Sequence, residues 1–203
     1  MLNAPQHDFR TTELDPDLLS TPFDVQTNWH VISGTASCGK TTLIDLLANK
    51  GFQTIPETAR LYIEGEMAKG RTILEIRENG AAFQRRLIDM QLGIEGRLRA
   101  MDVLFLDRGV PDYLAYCRVF GPNPNEFLAA CFRHRYASVF MLDPLPFEED
   151  GARDQDAHLA GYLGEWHARD YSALGYHVVR VPVLSPQERL AFVIERLSEQ
   201  ELI

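Results

Sequence analysis

The sequence is short of cysteine and has no long apolar run. Its three cysteines, Cys38, Cys117 and Cys131, are odd in number and show no C-x-x-C spacing. We therefore expect neither a disulfide framework nor a zinc site, and a reducing cytoplasm is the predicted compartment. The first residues lack a basic segment followed by an apolar one, so no signal peptide is expected. No apolar stretch reaches the length of a membrane span.

Positive charge is also scarce. The 203 residues include 20 Lys and Arg against 29 Asp and Glu, which gives a formal net charge of −9. A broad nucleic-acid interface needs clustered basic side chains, so no nucleic-acid partner is expected. A phosphate ligand remains compatible with this charge, because a few inward-facing basic residues are enough to bind it.

One motif specifies a ligand. The phosphate-binding pattern G-x-x-x-x-G-K-[ST] is matched by Gly34-Thr35-Ala36-Ser37-Cys38-Gly39-Lys40-Thr41. Its glycines let backbone N–H groups face phosphate oxygens, and the following helix adds the positive end of its dipole. Lys40 is predicted to reach the β- and γ-phosphates, Thr41 to bind Mg²⁺ through its hydroxyl, and Thr42 to contact the α-phosphate.

The alternative for this motif is a Gly-rich turn without a ligand. The apolar run 29–32 reads as a buried strand just before the loop, and leucines at helical spacing follow it until Gly51. The motif thus lies in the strand–loop–helix setting that it requires. We therefore expect the chain to bind a nucleoside triphosphate, ATP or GTP.

The rest of the chain alternates strand and helix patterns, which is typical of a parallel sheet covered by helices. Strands are predicted at 29–32, 52–55, 103–106, 139–142 and 178–181. Helices are predicted at 83–98, 110–120, 126–134, 157–174 and 187–197, with a loop over 145–156. The predicted fold is α/β, a P-loop NTPase with a five-stranded parallel sheet of kinase-type order 2-3-1-4-5, flanked by helices and carrying a small lid loop.

The two ends of the chain differ in composition. Residues 1–27 are mostly polar and contain three prolines, so we expect an N-terminal extension that wraps the domain or is partly disordered. Residues 28–203 form the predicted nucleotide-binding domain.

Asp107 closes the third predicted strand and Arg108 follows it, at the sheet edge where open α/β folds bind ligands. A carboxylate there is placed to hold Mg²⁺, and the arginine to hold a phosphate oxygen or an acceptor. The alternative is an aspartate that caps the next helix beside a solvated arginine.

Glu57 follows the second predicted strand, at a point where a carboxylate can act as general base toward the attacking hydroxyl. The alternative is a first-turn glutamate favoured by the helix dipole, with Pro56 marking the helix start. Arg60 is a candidate acceptor-binding residue or a solvated one.

Two further candidates are less distinctive. Arg153 lies in the loop after the fourth strand, where a lid would bring an arginine to the transition state, or it is an ordinary surface arginine. Gln84 would bind an acceptor or be solvated. Tyr113 and Tyr116 would line the same pocket or belong to the core.

The chain resembles the AAA-type NTPase-like family that is related to the ribosylnicotinamide kinase domain and, more distantly, to thymidylate and deoxynucleoside kinases. The likeness runs from about 29 to 197. It is carried by Gly34–Thr42, Pro56-Glu57-Thr58-Ala59-Arg60, Phe83-Gln84, Leu106-Asp107-Arg108-Gly109 and Asp150-Gly151-Ala152-Arg153-Asp154. It implies an ATP- or GTP-binding kinase-like fold, with Asp107 in the magnesium position and Arg153 in the lid. Cys38 departs from the smaller residue that often stands there, which makes the loop redox-sensitive in principle.

Two functions remain open. The first is a Mg²⁺-dependent kinase that moves the γ-phosphoryl group to a small hydroxylated acceptor, such as a nucleoside or nucleotide. The second is a nucleotide-binding regulatory NTPase whose lid and N-terminus contact a partner. The kinase is favoured because Glu57, Arg108 and Arg153 exceed what binding alone requires.

Overall fold

The structure is a computed structural model that describes residues 11–145 and 154–199, with side chains from 158 onward in the second range. In chain order the elements are α1 (Pro16–Leu19), β1 (Val25–Gln26), β2 (Trp29–Ser33), α2 (Lys40–Asn49), β3 (Gln53–Ile55), α3 (Thr58–Met67), α4 (Ile73–Arg77), α5 (Gly80–Glu95), β4 (Leu104–Asp107), α6 (Asp112–Phe120), a 3-10 helix (Pro124–Phe132), β5 (His134–Arg135), β6 (Ser138–Leu142), α7 (Asp154–Ala173), β7 (Val178–Val181) and α8 (Pro186–Glu199).

The central sheet has five parallel strands in the order β3-β4-β2-β6-β7. Numbered by the five predicted strands, this is 2-3-1-4-5, so the predicted α/β fold and strand order are confirmed. The three middle strands β4, β2 and β6 are buried throughout, while the edge strands β3 and β7 are partly exposed. Continuous apolar runs therefore marked the strands that are covered on both faces.

Helices cover both faces of this sheet because side chains alternate along each strand. On one face, Val31 and Leu106 pack with Leu114 of α6 and Tyr171 of α7. On the other face, a second apolar cluster joins α2 and α8 to the sheet; it contains Ile32, Leu43, Leu47, Phe105, Phe140, Leu190 and Val193. The sheet is thus the middle layer of three.

Helix ends explain most boundary differences. The long helix α5 begins at Gly80 because the Asn79 side chain caps the Ala82 N–H at 2.9 Å, and it ends at Glu95 with Gly96 as its last cap. The predicted helix 83–98 therefore begins and ends further along the chain than α5 does. α2 stops where Gly51 takes φ +95°, a left-handed conformation that favours glycine, as the sequence predicted.

Two predicted segments were assigned wrongly. The stretch 126–134 is a 3-10 helix from Pro124 to Phe132, and its last predicted residue, His134, begins β5 instead. β5 pairs in parallel with β1 and so cannot continue the helix. The predicted loop 145–156 ends earlier than expected, because α7 already begins at Asp154.

Residues 11–27 lie along the domain. Arg118 donates from Nε to the Thr12 carbonyl at 2.8 Å, and Asn125 donates to the Glu13 carbonyl at 3.1 Å. Leu14 is buried in the core beside them. These contacts attach the N-terminal segment to α6, α7 and the 3-10 helix. None of the helices in the described part of the chain combines the length and apolar character needed to cross a bilayer.

Candidate nucleotide-binding site

The phosphate-binding loop joins β2 to α2 and is shaped by three residues with positive φ. Gly34 has φ +141°, Ser37 φ +59° and Gly39 φ +92°. A Cβ atom at Gly34 would lie 2.8 Å from the Cys38 sulfur, which leaves no space for a side chain there. A loop that alternates between right- and left-handed conformations forms a concavity of backbone N–H groups suited to anions.

Lys40 begins α2 and is buried. Its Nζ donates to the Thr35 carbonyl at 2.6 Å and lies 3.8 Å from the Cys38 sulfur, so its partners are a carbonyl and a thiol rather than a carboxylate. Burial and the nearby Arg108 charge lower its pKa. A buried ammonium without a paired carboxylate among the described residues is stabilised by an anionic ligand.

The other residues of the motif differ in exposure. Ala36, Ser37 and Thr42 are exposed and Thr41 is half-buried, whereas Thr35 is buried beneath α7. Gly164 of α7 makes this packing possible, since a Cβ atom there would lie 3.0 Å from Thr35 Cγ2.

Asp107 ends β4 opposite Ile32 of β2, so it shares an edge of the sheet with the phosphate-binding loop. It is 3% exposed, and its Oδ1 has no hydrogen-bond partner among the described residues. Burial raises its pKa to about 6, against the opposing charges of Lys40 and Arg108. An orphaned, buried carboxylate oxygen fits a hard cation such as Mg²⁺.

The helix-capping interpretation of Asp107 is wrong. The next helix, α6, begins at Asp112 with Pro111 as its N-cap residue. The carboxylate that satisfies this turn is Asp112, whose Oδ2 accepts the Gly109 N–H at 3.0 Å.

Arg108 lies between two carboxylates. Its Nε donates to Glu57 at 2.8 Å and its Nη1 to Asp112 at 3.1 Å, and the guanidinium lies 5.4 Å from the centre of the Tyr116 ring. The residue is buried, so the interpretation of a solvated arginine is wrong. Its φ of +76° is rare for a bulky residue, and such strain persists only where surrounding contacts impose it.

Glu57 precedes α3 and makes no capping hydrogen bond with its side chain. Burial acts to raise its pKa, but the Arg108 charge and hydrogen bond, with Lys40 and Arg60, lower it overall. The side chain remains 27% exposed. Glu57 is thus an ionised hydrogen-bond acceptor at the rim of the site. Arg60 is exposed one helical turn further along.

The acceptor-side candidates have different surroundings. Gln84 is buried and its Oε1 has no partner among the described residues, so the solvated interpretation is wrong. Tyr113 packs in an apolar cluster with Phe83 and Leu87. Arg153 and the lid segment 150–153 lie outside the described residues.

Sequence reasoning missed a buried polar cluster around Asp112. This carboxylate accepts hydrogen bonds from Ser33, which directly precedes the phosphate-binding loop, and from the Tyr171 hydroxyl of α7 at 2.6 Å. His167 Nδ1 of α7 lies 4.0 Å from Asp112 Oδ1. In the sequence, Asp112 shows only as an acidic residue in the first turn of α6, and helices on the protein surface commonly have an acidic residue there too.

The second missed residue is Arg189 of α8, which donates a hydrogen bond to the Cys38 carbonyl in the phosphate-binding loop. The two residues are 151 positions apart, so no local pattern in the sequence indicates the contact.

The comparison with known families agrees with this geometry. A family model described as an AAA domain matches residues 29–189. The chain belongs to this family. The matched range contains the phosphate-binding loop and ends at Arg189, and the family resemblance stated from the sequence is confirmed. No curated protein sequence matches this AAA domain significantly.

Solved structures show the same fold. A crystal structure of NadR protein in complex with NR aligns with a TM-score of 0.62 and 22% identity, over 85% of this chain and 50% of that one. NadR protein in complex with NAD and AMP-PNP also gives 0.62 and 22%, over 85% and 49%. Shikimate kinase from Aquifex aeolicus VF5 gives 0.52 and 16%, over 86% and 98%. The chain spans about half the length of the NadR chains and shares a P-loop kinase-like fold with these three structures.

Proposed function

We propose that this chain binds Mg²⁺ with ATP or GTP and transfers the γ-phosphoryl group to a small hydroxylated acceptor, such as a nucleoside or nucleotide. The observation that carries the proposal is the meeting of three groups at one sheet edge. Among the described residues, the buried Lys40 ammonium has no paired carboxylate and the buried Asp107 Oδ1 has no hydrogen-bond partner. Glu57 is an ionised, partly exposed hydrogen-bond acceptor. NadR, which shares the fold, has been crystallised with the nucleotide analogue AMP-PNP.

The phosphate side of the site would use the loop and the end of β4. Backbone N–H groups of Gly34–Thr42 and the Lys40 ammonium would bind the phosphates. Thr41 and Asp107 would hold Mg²⁺, which neutralises charge on the phosphates when bound. Arg153, in the proposed lid, would contact the transferring group.

The acceptor side would use Glu57. Because its pKa is lowered, it is ionised at neutral pH, so it can orient the acceptor hydroxyl and take its proton as the bond forms. Arg108 donates a hydrogen bond to this carboxylate and would also contact a phosphate oxygen or the acceptor. The Gln84 side-chain carbonyl, which has no partner in the described part of the chain, would accept a hydrogen bond from the acceptor, and the exposed Arg60 would contact an acidic group on it.

A second function, a regulatory nucleotide-binding protein, is favoured by one observation. The N-terminal segment is attached to α7 through an Arg169–Glu13 ion pair at 3.2 Å, and α7 packs on the phosphate-binding loop at Thr35. Nucleotide binding would then alter the contacts of residues 1–27, proposed as an extension to a nucleotide-binding domain of residues 28–203. We also propose a cytoplasmic location, from the sparing and irregular use of cysteine.

The test is a phosphate-transfer screen of nucleosides, nucleotides and cofactor precursors with ATP and with GTP, read by mass spectrometry. A phosphorylated product is expected with the wild-type chain and not with Lys40→Ala. Lys69→Ala is the matched control, because Lys69 is an exposed lysine paired with Glu66. Nucleotide binding without any product across the panel would contradict the kinase and support the regulatory function.

A further inference from the structure

Arg189 of α8 joins the phosphate-binding loop to the two segments that follow β6 and β7. It is 3% exposed, and its guanidinium donates from Nε to the Pro182 carbonyl at 3.0 Å, from Nη2 to the Asp143 carbonyl at 3.2 Å and from Nη1 to the Cys38 carbonyl. Pro182 follows β7 and Asp143 follows β6. One side chain thus links the ends of two strands to the loop.

Among the residues that the structure describes, no carboxylate forms an ion pair with Arg189. Its three hydrogen bonds to described residues go to backbone carbonyls, which carry only partial negative charge. A buried cation is costly unless a counter-charge compensates it. A bound polyphosphate on the loop would supply that counter-charge.

Peptide geometry extends the effect of Arg189 to the next amide. The Cys38–Gly39 bond is trans, as are all peptide bonds in the described ranges, and in a trans peptide the C=O and N–H point in opposite directions. Because the Cys38 carbonyl points to Arg189, the Gly39 N–H must point away from α8. Gly39 has φ +92° and lies against Arg189, since a Cβ atom there would be 3.2 Å from Nη1.

We propose that Arg189 is a positioning residue of the phosphate site. It fixes the Cys38–Gly39 peptide so that the Gly39 N–H donates to a bound phosphate, and its charge adds to the attraction for polyphosphate. The inference rests on the nucleotide binding proposed above but not on phosphoryl transfer.

The test compares Arg189→Met, Arg189→Lys and the control Arg196→Met. Arg196 lies on the same helix but is partly exposed and paired with Glu199. Dissociation constants for Mg-ATP and Mg-GTP are measured by calorimetry below each melting temperature, and the amide signal of Gly39 is followed by NMR during titration. The change in the Gly39 amide signal on titration reports the proposed contact directly. A loss of stability alone would not alter this change.

Arg189→Met is expected to weaken nucleotide binding by about tenfold or more, the usual scale for a charge-assisted hydrogen bond. Arg189→Lys keeps the charge but not the three contacts, so it should bind with intermediate affinity and show a smaller shift at Gly39. Arg196→Met should match the wild type.

Two results would overturn the inference. If both Arg189 variants bind nucleotide within about twofold of the wild type, with an unchanged Gly39 shift, Arg189 only braces the fold. If Arg189→Met does not fold, Arg189→Lys and its Gly39 signal decide the question. A wild-type chain that binds neither nucleotide would overturn this inference and the proposed function together, whereas normal binding by the variants overturns this inference alone.

Discussion

The Arg108 guanidinium donates its Nε–H to Oε1 of Glu57 at 2.8 Å. This bond joins the residue after β4 to the residue before α3, and both belong to the sheet edge that carries the phosphate-binding loop. It keeps Glu57 ionised and fixes its direction, at the cost of making it a weaker base. A weak but well-placed acceptor suits phosphoryl transfer, in which positioning contributes more than proton abstraction.

Glu57→Gln is expected to slow phosphoryl transfer by roughly 10²-fold or more, with little change in nucleotide affinity. The amide keeps the shape of the side chain but takes up no proton. Single-turnover kinetics and calorimetry measure the two quantities separately. Glu64→Gln, at an exposed position on α3, is the control and should leave both unchanged. Equal losses in transfer and affinity would show that Glu57 acts mainly in nucleotide binding.

Asp107→Asn is expected to abolish most Mg²⁺-dependent activity while stabilising the folded chain at pH 7 to 8. Burial raises the pKa of Asp107 in the folded chain to about 6. The protonated carboxyl therefore contributes favourably to the free energy of unfolding; this contribution is complete below a pH of about 4 and is lost as the pH rises through 6. Asparagine removes the cost of the buried charge, a gain on the order of 3 kcal/mol in the free energy of unfolding. Urea unfolding across this pH range checks the gain, which should vanish near pH 4. A variant that is less stable at pH 8 would contradict this account.

The same pKa predicts competition between protons and Mg²⁺. At low Mg²⁺ concentration, activity should fall as the pH drops through about 6, because the protonated Asp107 cannot bind the metal. Raising Mg²⁺ should move the midpoint to lower pH. The measurement is a set of pH–rate profiles at several Mg²⁺ concentrations, and a midpoint that ignores Mg²⁺ would point to another titrating group.

Arg153→Ala is expected to lower kcat more than nucleotide affinity, because a lid arginine strengthens its contact as the phosphoryl group transfers. Steady-state kinetics with the acceptor from the screen measures the split. Arg133→Ala is a control at an exposed arginine outside the proposed lid. A normal kcat would leave Arg153 as a surface residue.

Asp112→Asn is expected to destabilise the fold by about 3 kcal/mol or more, since it removes one of the two carboxylates that balance the buried Arg108 charge. Denaturant unfolding measures the loss. The control is Asp102→Asn, because the Asp102 side chain is 41% exposed and its pairing with Arg99 at 3.9 Å is weak. A small effect for Asp112→Asn would mean that Glu57 alone compensates Arg108.

The sequence predicted what local patterns determine. The loop motif, the buried strands and the placement of Asp107 at a strand end follow from spacing within a few residues, and the sheet order follows from the fold that these imply. Asp112 and Arg189 were missed because their roles depend on partners far away in the chain, Tyr171 at 59 positions and Cys38 at 151. In the sequence alone, a charged residue that tertiary contacts bury cannot be distinguished from one that lies on the surface.

The attachment of the N-terminal segment has a practical consequence. Arg118 binds Thr12 through Nε and Asp170 of α7 through two hydrogen bonds of 2.7 and 2.8 Å, while Trp166 stacks beneath it. Arg118 of α6 thus holds this segment, and it is itself paired with α7, the helix that also packs against the phosphate-binding loop at Thr35. A shortened chain that begins after Leu19 would lose the Thr12 contact with Arg118 and the Glu13 contact with Arg169, so its nucleotide kinetics should not be taken as those of the full sequence.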